Sequence, residues 1–375
     1  MNLQNGGRDI PVTSTWHDLG PVEILKNSPL QEISIDGTRI ALSFAEGEFS
    51  AIGGVCAHVG GPLGAGTLSG DEVVCPWHYF RYHRKTGICR LGESHEIAVP
   101  RYELKIEGEH LFLNLAALSP GKPMGEYHGS LTRPIQREPG PIRIAGISTT
   151  IMTPGHPRYS TSEDLLETAL EHGRAQLQAE TKTLRLRDLH FRPCEGYYSK
   201  SVHACLWPCT ITRGDKNDEL SQVYEALIYW ADVILIATPI RWGAASSLYY
   251  KMVERMNCIQ NQITLHNKVL IQNKVASFII TGGQDNIQLV AGQMLGFFAE
   301  LGFLFPPFPF IAHSLGWNAE NMERNMKYVQ RSRMLRQGAR ELVRRAVNLS
   351  RTLVESPLCE SEVERAGRKA SPAEG

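Results

Sequence analysis

The chain has 375 residues, more than one hydrophobic core ordinarily serves, so two domains are expected. Its 39 basic and 39 acidic side chains cancel, which argues against nucleic acid or a charged membrane surface as the main partner. Eight cysteines are few for a disulfide scaffold of this length, the opening residues show no basic segment followed by an apolar run, and the longest apolar run, "ALIYWADVILIATPI", is interrupted by Asp232; a soluble, cytoplasmic protein with reduced, metal-competent thiols is expected.

Residues 16–117 read as short strands. "EISIDGTRIALSFAEGEFSAI" alternates apolar and polar positions around Asp36-Gly37 and Gly47, and "RYELKIEGEHLFLNL" does so around Glu107-Gly108, which predicts a small all-β domain over residues 1–118. Inside it lies "VCAHVGGPLGAGTLSGDEVVCPWHYFRYHRKTG", where Cys56 and His58 face Cys75 and His78 across sixteen residues. Two thiolates and two neutral imidazoles suit either a tetrahedral zinc or a [2Fe-2S] cluster in which the cysteines grip one iron and the histidines the other. A single residue between Cys56 and His58 favours a loop that offers its side chains to two metal atoms. The pattern C-x-H-x16-C-x-x-H, with Pro76 in the second turn, resembles the Rieske family, over about residues 16–117 and including Thr86 and Gly87.

That resemblance implies a [2Fe-2S] cluster on Cys56, His58, Cys75 and His78. It gives glycines 60, 61, 64 and 66 a purpose, since a loop wrapping inorganic sulfide must bring its N–H groups close. Rieske proteins of respiratory complexes carry a further cysteine in each loop; Gly61 and Trp77 stand there, which implies the ferredoxin and oxygenase type. Tyr79 replaces the glycine common after the last ligand and His83 a common acidic residue. A Rieske oxygenase would add a mononuclear iron on two His and a carboxylate, but His156, His172, His190, His203, His266 and His313 have no paired spacing, so the cluster is read as an electron carrier.

Residues 119–141 are rich in Pro, Gly and charge without periodicity and read as a linker. From 142 to 354 apolar strands alternate with amphipathic helices: "IRIAGIS", "SEDLLETALEHGRAQL", "TKTLRLRDL", "NDELSQVYEALIYWAD", "VILIATP", "SSLYYKMVERMN", "KVASFIITG" and "IQLVAGQMLGFFAELG". Strand-helix alternation predicts a doubly wound α/β domain with a parallel sheet. A long basic helix is expected from about Ala319 to Leu353, its arginines on a solvated face or on a docking surface for an acidic partner or a 2'-phosphate, and a disordered tail over 355–375.

The Ser- and Thr-rich loop after the first of these strands, opening a helix with acidic residues, suits a phosphate. No G-x-G-x-x-G or Gly-Lys-Ser/Thr motif is present. The stretches "ADVILIATPIRWGAASSLYYKMVERM" and "KVASFIITGGQDNIQLVAGQMLGFFAELGF" resemble the NAD(P)H-dependent FMN reductase and iron-sulfur flavoprotein family of flavodoxin-like fold, over about 142–317. The resemblance implies that Pro239, Ile240, Arg241, Trp242 and Gly243 line the isoalloxazine, with Thr281, Gly282 and Gly283 on its other side, and that Ser148, Thr161 and Ser162 meet the phosphate. Iron-sulfur flavoproteins carry a compact cysteine cluster where this chain has Cys194, Cys205 and Cys209. Their spacing here departs from it, a fourth ligand would be His203, Cys258 or external, and structural thiols are the alternative.

The joined resemblances imply a multidomain oxidoreductase that passes electrons between NAD(P)H, FMN and the cluster, to or from a redox partner protein or a small organic acceptor, in a homo-oligomer. No side chain need act as acid or base. The alternative is a non-catalytic Rieske ferredoxin with a docking or sensing module that has lost FMN.

Overall fold

The computed structural model describes residues 15–91, 95–124, 128–152, 155, 158–282, 286–315 and 319–358. The tail expected to be disordered lies outside them beyond residue 358, as does Gly283. The chain forms two compact units. The first takes the N-terminal third of the sequence together with Tyr197–Ala204 from the second half; the remainder forms the second.

In the first unit β1 (Trp16–Pro21), a helical turn α1 (Val22–Leu25), β2 (Leu30–Ile35), β3 (Thr38–Ala45) and β4 (Glu48–Gly53) are followed by β5 (Thr67–Ser69), β6 (Glu72–Val74), β7 (Arg81–His83), β8 (Ile88–Leu91), β9 (His95–Ala98), β10 (Arg101–Glu107) and β11 (His110–Ser119). The antiparallel sheet runs β1-β11-β10-β4-β3-β2; β5-β6-β7 and β8-β9 form smaller sheets. Asp36-Gly37 and Glu46-Gly47 take positive φ at both residues, 48° and 79°, then 52° and 78°, the tight two-residue turn that matches strand twist. Strand alternation divides two cores: Ile40, Leu42 and Ala51 pack with Tyr102, Leu111 and Leu113, whereas Ala41 and Ile52 pack with Leu63, Val73, Tyr82, Ile97, Cys56 and Cys75.

The second unit contains β12 (Arg143–Ser148), α2 (Thr161–Leu177), β13 (Glu180–Arg185), α3 (Thr210–Gly214), α4 (Ser221–Tyr224) continuing as a π-helical turn over Glu225–Trp230, β14 (Val233–Ile240), α5 (Ser247–Glu254), α6 (Asn257–His266), β15 (Val275–Gly282), α7 (Ile287–Glu300), β16 (Phe310–Ser314), α8 (Ala319–Arg331) and α9 (Arg333–Glu355). Its five strands are all parallel in the order β13-β12-β14-β15-β16. This is the flavodoxin-like doubly wound order, with its switch point between β12 and β14. Leu165, Leu166, Ala169 and Leu170 of α2 and Leu335, Ala339, Leu342, Val343 and Ala346 of α9 cover one face, against Ile144, Leu235, Ala237 and Ile279. Their 3–4 spacing is the apolar stripe of an amphipathic helix.

The expected long C-terminal helix is two. Ser332 is extended (φ −73°, ψ 105°) and its Oγ accepts from Leu335 N–H, ending α8 and capping α9. Several of its basic side chains have partners within the unit: Arg336 pairs with Asp164 at 2.7 Å, Arg345 donates to the carbonyls of Pro307 and Phe308, and Arg351 to that of Leu177. Described residues of the stretch read as a linker are tied to folded elements. Lys122 exchanges backbone hydrogen bonds with Ala98 in the first unit; in the second, the Leu131 carbonyl accepts from Trp207 Nε1 and Tyr229 OH, and Arg137 grips Asp232 at 2.8 Å.

Candidate metal centre and flavin site

The two Cys/His loops have one backbone design. Cys56 N–H donates to Gly61 O and Gly60 N–H to Cys56 O; Cys75 N–H donates to Phe80 O and Tyr79 N–H to Cys75 O. Each loop is thus six residues closed at the same two points. The fifth residue needs positive φ in both, 86° at Gly60 and 59° at Tyr79. That is why glycine suits this position, and Tyr79 holds a conformation that side chains resist by about 1–3 kcal/mol.

These loops bring all four sequence-identified residues together and bury them: Cys56 and Cys75 are 2% and 0% exposed, His58 and His78 5% and 6%. The imidazole centroids lie 4.7 Å apart, edge to face, and His58 stacks on Phe80 at 4.3 Å. Tyr82, fully buried, places its hydroxyl 3.1 Å from both Cys56 Sγ and Ala57 N. The contact with Cys75 and burial push the Cys56 thiol up, while its hydrogen bond to Cys56 holds Cys75 down at about 7. Two buried thiols in contact suit a cationic metal centre, which lets both ionise.

Among the described residues no three His, Cys, Asp or Glu side chains gather for a single ion. The donors form instead a thiol pair and an imidazole pair, as a two-iron cluster requires and a mononuclear zinc does not. A Cβ at Gly61 would lie 2.7 Å from Cys75 Sγ, so this glycine keeps the thiol in place. At Gly64 a Cβ would meet Glu32, and at Gly66 the carbonyls of Val74 and Leu63, so close packing of the chain also requires glycine at these two positions.

In the second unit the flavin candidates sit at the carboxyl ends of adjacent parallel strands, Ser148 opposite Ala237, Pro239 opposite Thr281 and Ile240 opposite Gly282. Ser148 and Ser162 are fully buried, and Ser148 Oγ has no hydrogen-bond partner among the described residues, as a phosphate-directed hydroxyl would. Thr161 Oγ1 lies 2.6 Å from Thr281 Oγ1, tying two of the expected loops together, while Ser160 caps α2. Arg241 and Ala244 exchange backbone hydrogen bonds around Trp242 and Gly243, whose φ values are 52° and 72°. Trp242 is 93% exposed, so it is no core residue.

Sequence reasoning missed the side chains that hold these loops. Asn286 Nδ2 donates to Gly243 O at 2.8 Å, and Asn325 of α8, 3% exposed, donates to Gly282 O at 2.9 Å. His313, paired with Thr281 across β15 and β16, stacks on Tyr328 at 4.6 Å, and burial lowers its basicity. None carries a local signal; each is recruited by a strand or helix distant in sequence. A cavity of about 1220 Å³ in this unit is lined by Arg137, Asp232 and Lys274, beside the amino-terminal ends of β14 and β15 and away from the candidate flavin residues at the carboxyl ends.

Cys209 is joined by Cys258, one of the possible fourth ligands weighed from sequence. Arg255 Nε donates to Cys209 Sγ at 3.2 Å, Cys258 Sγ donates to Arg255 O at 3.3 Å, and Arg255 pairs with Asp218 at 2.8 Å with both side chains wholly buried. The Cys258 thiol and the Arg255 guanidinium hold Cys209 well below the ordinary thiol range, whereas burial pushes Cys258 up. Cys205 takes a donor from Asn257 at 3.4 Å, and burial pushes Cys194 and Cys205 up.

Two family models match this chain, "Rieske [2Fe-2S] domain" over residues 15–103 and "NADPH-dependent FMN reductase" over residues 149–317. The oxygenase component of 3-ketosteroid-9-alpha-monooxygenase from Mycolicibacterium smegmatis is 38% identical over 77 residues, 20% of each chain, so the present chain spans only that fifth of it. The ferredoxin component of the naphthalene 1,2-dioxygenase system from Pseudomonas aeruginosa is 27% identical over 107 residues, 28% of this chain and 100% of that one. Among solved structures, RosB with bound 8-demethyl-8-formylriboflavin-5'-phosphate aligns at 21% identity and a TM-score of 0.49, over 62% of this chain and 89% of that one. No helix among the described residues is long and apolar enough to cross a membrane. The paired Cys/His loops and the flavodoxin-like strand ends thus belong to a chain that joins a Rieske [2Fe-2S] domain to an NADPH-dependent FMN reductase domain, with a [2Fe-2S] cluster, FMN and NAD(P)H as its cofactors.

Proposed function

We propose that this oxidoreductase takes electrons from NAD(P)H in pairs and passes them singly, through its flavin and cluster, to a redox partner protein or a small organic acceptor. When bound, FMN accepts a hydride and the cluster carries one electron. The observation that carries this reading is the presence in one chain of two donor sets of complementary chemistry: a buried Cys2His2 set split into two pairs, and hydroxyls with open loops at the switch point of a parallel sheet.

In this reading Cys56 and Cys75 hold one iron and His58 and His78 the other. Ser148, Thr161 and Ser162, with the first N–H groups of α2, hold the FMN phosphate. Pro239, Ile240, Arg241, Trp242 and Gly243 line one side of the ring and Thr281, Gly282 and Gly283 the other. The protein's contribution is positioning, and no side chain acts as acid or base. The Rieske region ends near residue 118 and the flavin region begins near 142. The full-length match to a dioxygenase ferredoxin supports a protein acceptor, and a homo-oligomer in the cytoplasm completes the reading.

Anaerobic protein with measured iron, sulfide and FMN per chain, mixed separately with NADPH and NADH, tests it. Bleaching of the flavin band followed by growth of a Rieske-type EPR signal is expected. If neither nucleotide reduces either centre, electrons enter from another protein and the NAD(P)H step is wrong.

A further inference from the structure

His78 has a partner that the Rieske region itself does not supply. Tyr197–Ala204, which stands in sequence between strands of the other unit, folds into the first unit as two 3-10 turns, Tyr197–Ser199 and Val202–Ala204. These turns are closed by Lys200 N–H to Tyr197 O at 2.9 Å and Ala204 N–H to Ser201 O at 2.9 Å. Carbonyls at the end of a helical turn point away from it and take donors from elsewhere. Ala204 O lies 2.9 Å from His78 Nε2, a contact spanning 126 residues of sequence. The Tyr197 ring stands edge-on to the His78 imidazole at 4.4 Å, and Lys200 Nζ lies 5.8 Å from the centre of the Tyr79 ring.

A carbonyl can only accept, so His78 Nε2 carries the proton and Nδ1 is the nitrogen left for a metal. Ligating histidines are ordinarily fixed in this way, by donating the second ring N–H to a carbonyl or carboxylate. The three contacts fall on the fourth and fifth residues of the second loop, His78 and Tyr79, and His78 is left 6% exposed.

We propose that Tyr197–Ala204 is the outer shell of the cluster: the Ala204 carbonyl orients His78 through its Nε2–H, and Tyr197 and Lys200 close the histidine face to other proteins. The proposal rests on the cluster reading above. It assigns Tyr197 and Ala204 as positioning residues, and it makes the second half of the sequence a determinant of the cluster's potential. Loosening the segment weakens electron donation from His78 and admits water to the more negative reduced centre, and both changes raise the potential.

The test uses the full chain with cluster. Wild type is compared with Tyr197→Ala, Tyr197→Phe and a variant carrying Ser199→Gly, Lys200→Gly, Ser201→Gly and Val202→Gly. Iron, sulfide and the Rieske EPR signal are read first, then the midpoint potential, then the rate at which the reduced cluster gives one electron to cytochrome c or to ferricyanide. Expected for Tyr197→Ala and the glycine variant is an approximately tenfold shift of the reduction equilibrium towards the reduced state, ~59 mV for one electron. The cytochrome c rate should rise at least about tenfold relative to that of ferricyanide, as expected when a protein oxidant gains access to a closed face. Tyr197→Phe, which keeps the ring edge, should match wild type. Loss of iron from the glycine variant while its thermal unfolding is unchanged also supports the proposal. Unchanged potential and unchanged rate ratio in iron-replete Tyr197→Ala and glycine variants overturn it and leave the cluster reading intact. Absence of the Rieske signal from wild type overturns both.

Discussion

Cys56 and Cys75 form one buried thiol pair and Cys209 and Cys258 another, and their charges are balanced in different ways. Around the first pair the influences are the partner thiol, burial, the Tyr82 hydroxyl and backbone N–H groups. Around the second stands Arg255, itself neutralised by Asp218. A buried thiolate is costly unless a positive charge meets it. The second pair has a cation built from the chain, and the first obtains one from a metal. The contrast also separates loops from helices: the first pair is held by two six-residue turns, the second by the N-cap of α3 and the first turn of α6.

The most severe way to sharpen this contrast is to remove one thiol from each pair. Cys75→Ser is expected to reduce iron and sulfide to background and abolish the Rieske EPR signal, because one iron loses half its protein ligands. Cys258→Ser should leave both at wild-type levels. Iron loss in Cys258→Ser of the same extent would break the comparison. Next in size, Arg255→Leu leaves Asp218 buried and uncompensated beside Cys209; a loss of roughly 3–5 kcal/mol is expected from breaking such a pair, measured as the urea midpoint at constant m-value.

The second pair also has a pH signature. Cys209 titrates below its ordinary 9.0 in the folded chain, so the folded state holds fewer protons there than the unfolded state. Its contribution is complete above 9.0 and is lost as pH falls from there towards the depressed folded value. The raised Cys258 acts in the opposite sense only above its ordinary value. Stability measured at about pH 6 to 9 should therefore rise more steeply in wild type than in Cys209→Ser; parallel curves would remove the thiolate from the account.

Smaller effects are expected at the first pair's neighbours. Tyr82→Phe removes the hydroxyl 3.1 Å from Cys56 Sγ and should lower the cluster potential by about 40 mV, the one-electron equivalent of a hydrogen bond worth about 1 kcal/mol. A potential that stays put would mean that the hydroxyl serves Ala57 N–H alone. Smallest of all, Tyr79→Gly should stabilise the chain by less than about 1 kcal/mol, relief of positive φ being offset by added freedom in the unfolded chain. Gly60→Ala, at the matching position of the other loop, should destabilise by about 1–2 kcal/mol.

Much of this molecule was legible in its sequence because the informative features are local. The spacing of Cys56 and His58, and of Cys75 and His78, is fixed within six-residue loops closed by their own backbone, so the donor set shows without knowledge of the fold. Strand-helix alternation after residue 142 likewise predicts a parallel sheet, since each element covers its apolar face against the next. Features joined across long sequence separations were not legible. The break at Ser332 is local, but a serine alone is no stop signal when its neighbours on both sides favour helix. Asn286 and Asn325 hold the candidate flavin loops from other elements, and Cys258 meets Cys209 across 48 intervening residues through Arg255. The assignment of Tyr197–Ala204 to the first unit has no local signal, because nothing in "YYSKSVHA" reports where its last carbonyl will point. Sequence alone identified the candidate metal donors and the strand ends proposed to hold a flavin. Tertiary structure decided which distant groups complete them, because a hydrogen bond between residues more than a hundred positions apart is set by how whole elements pack.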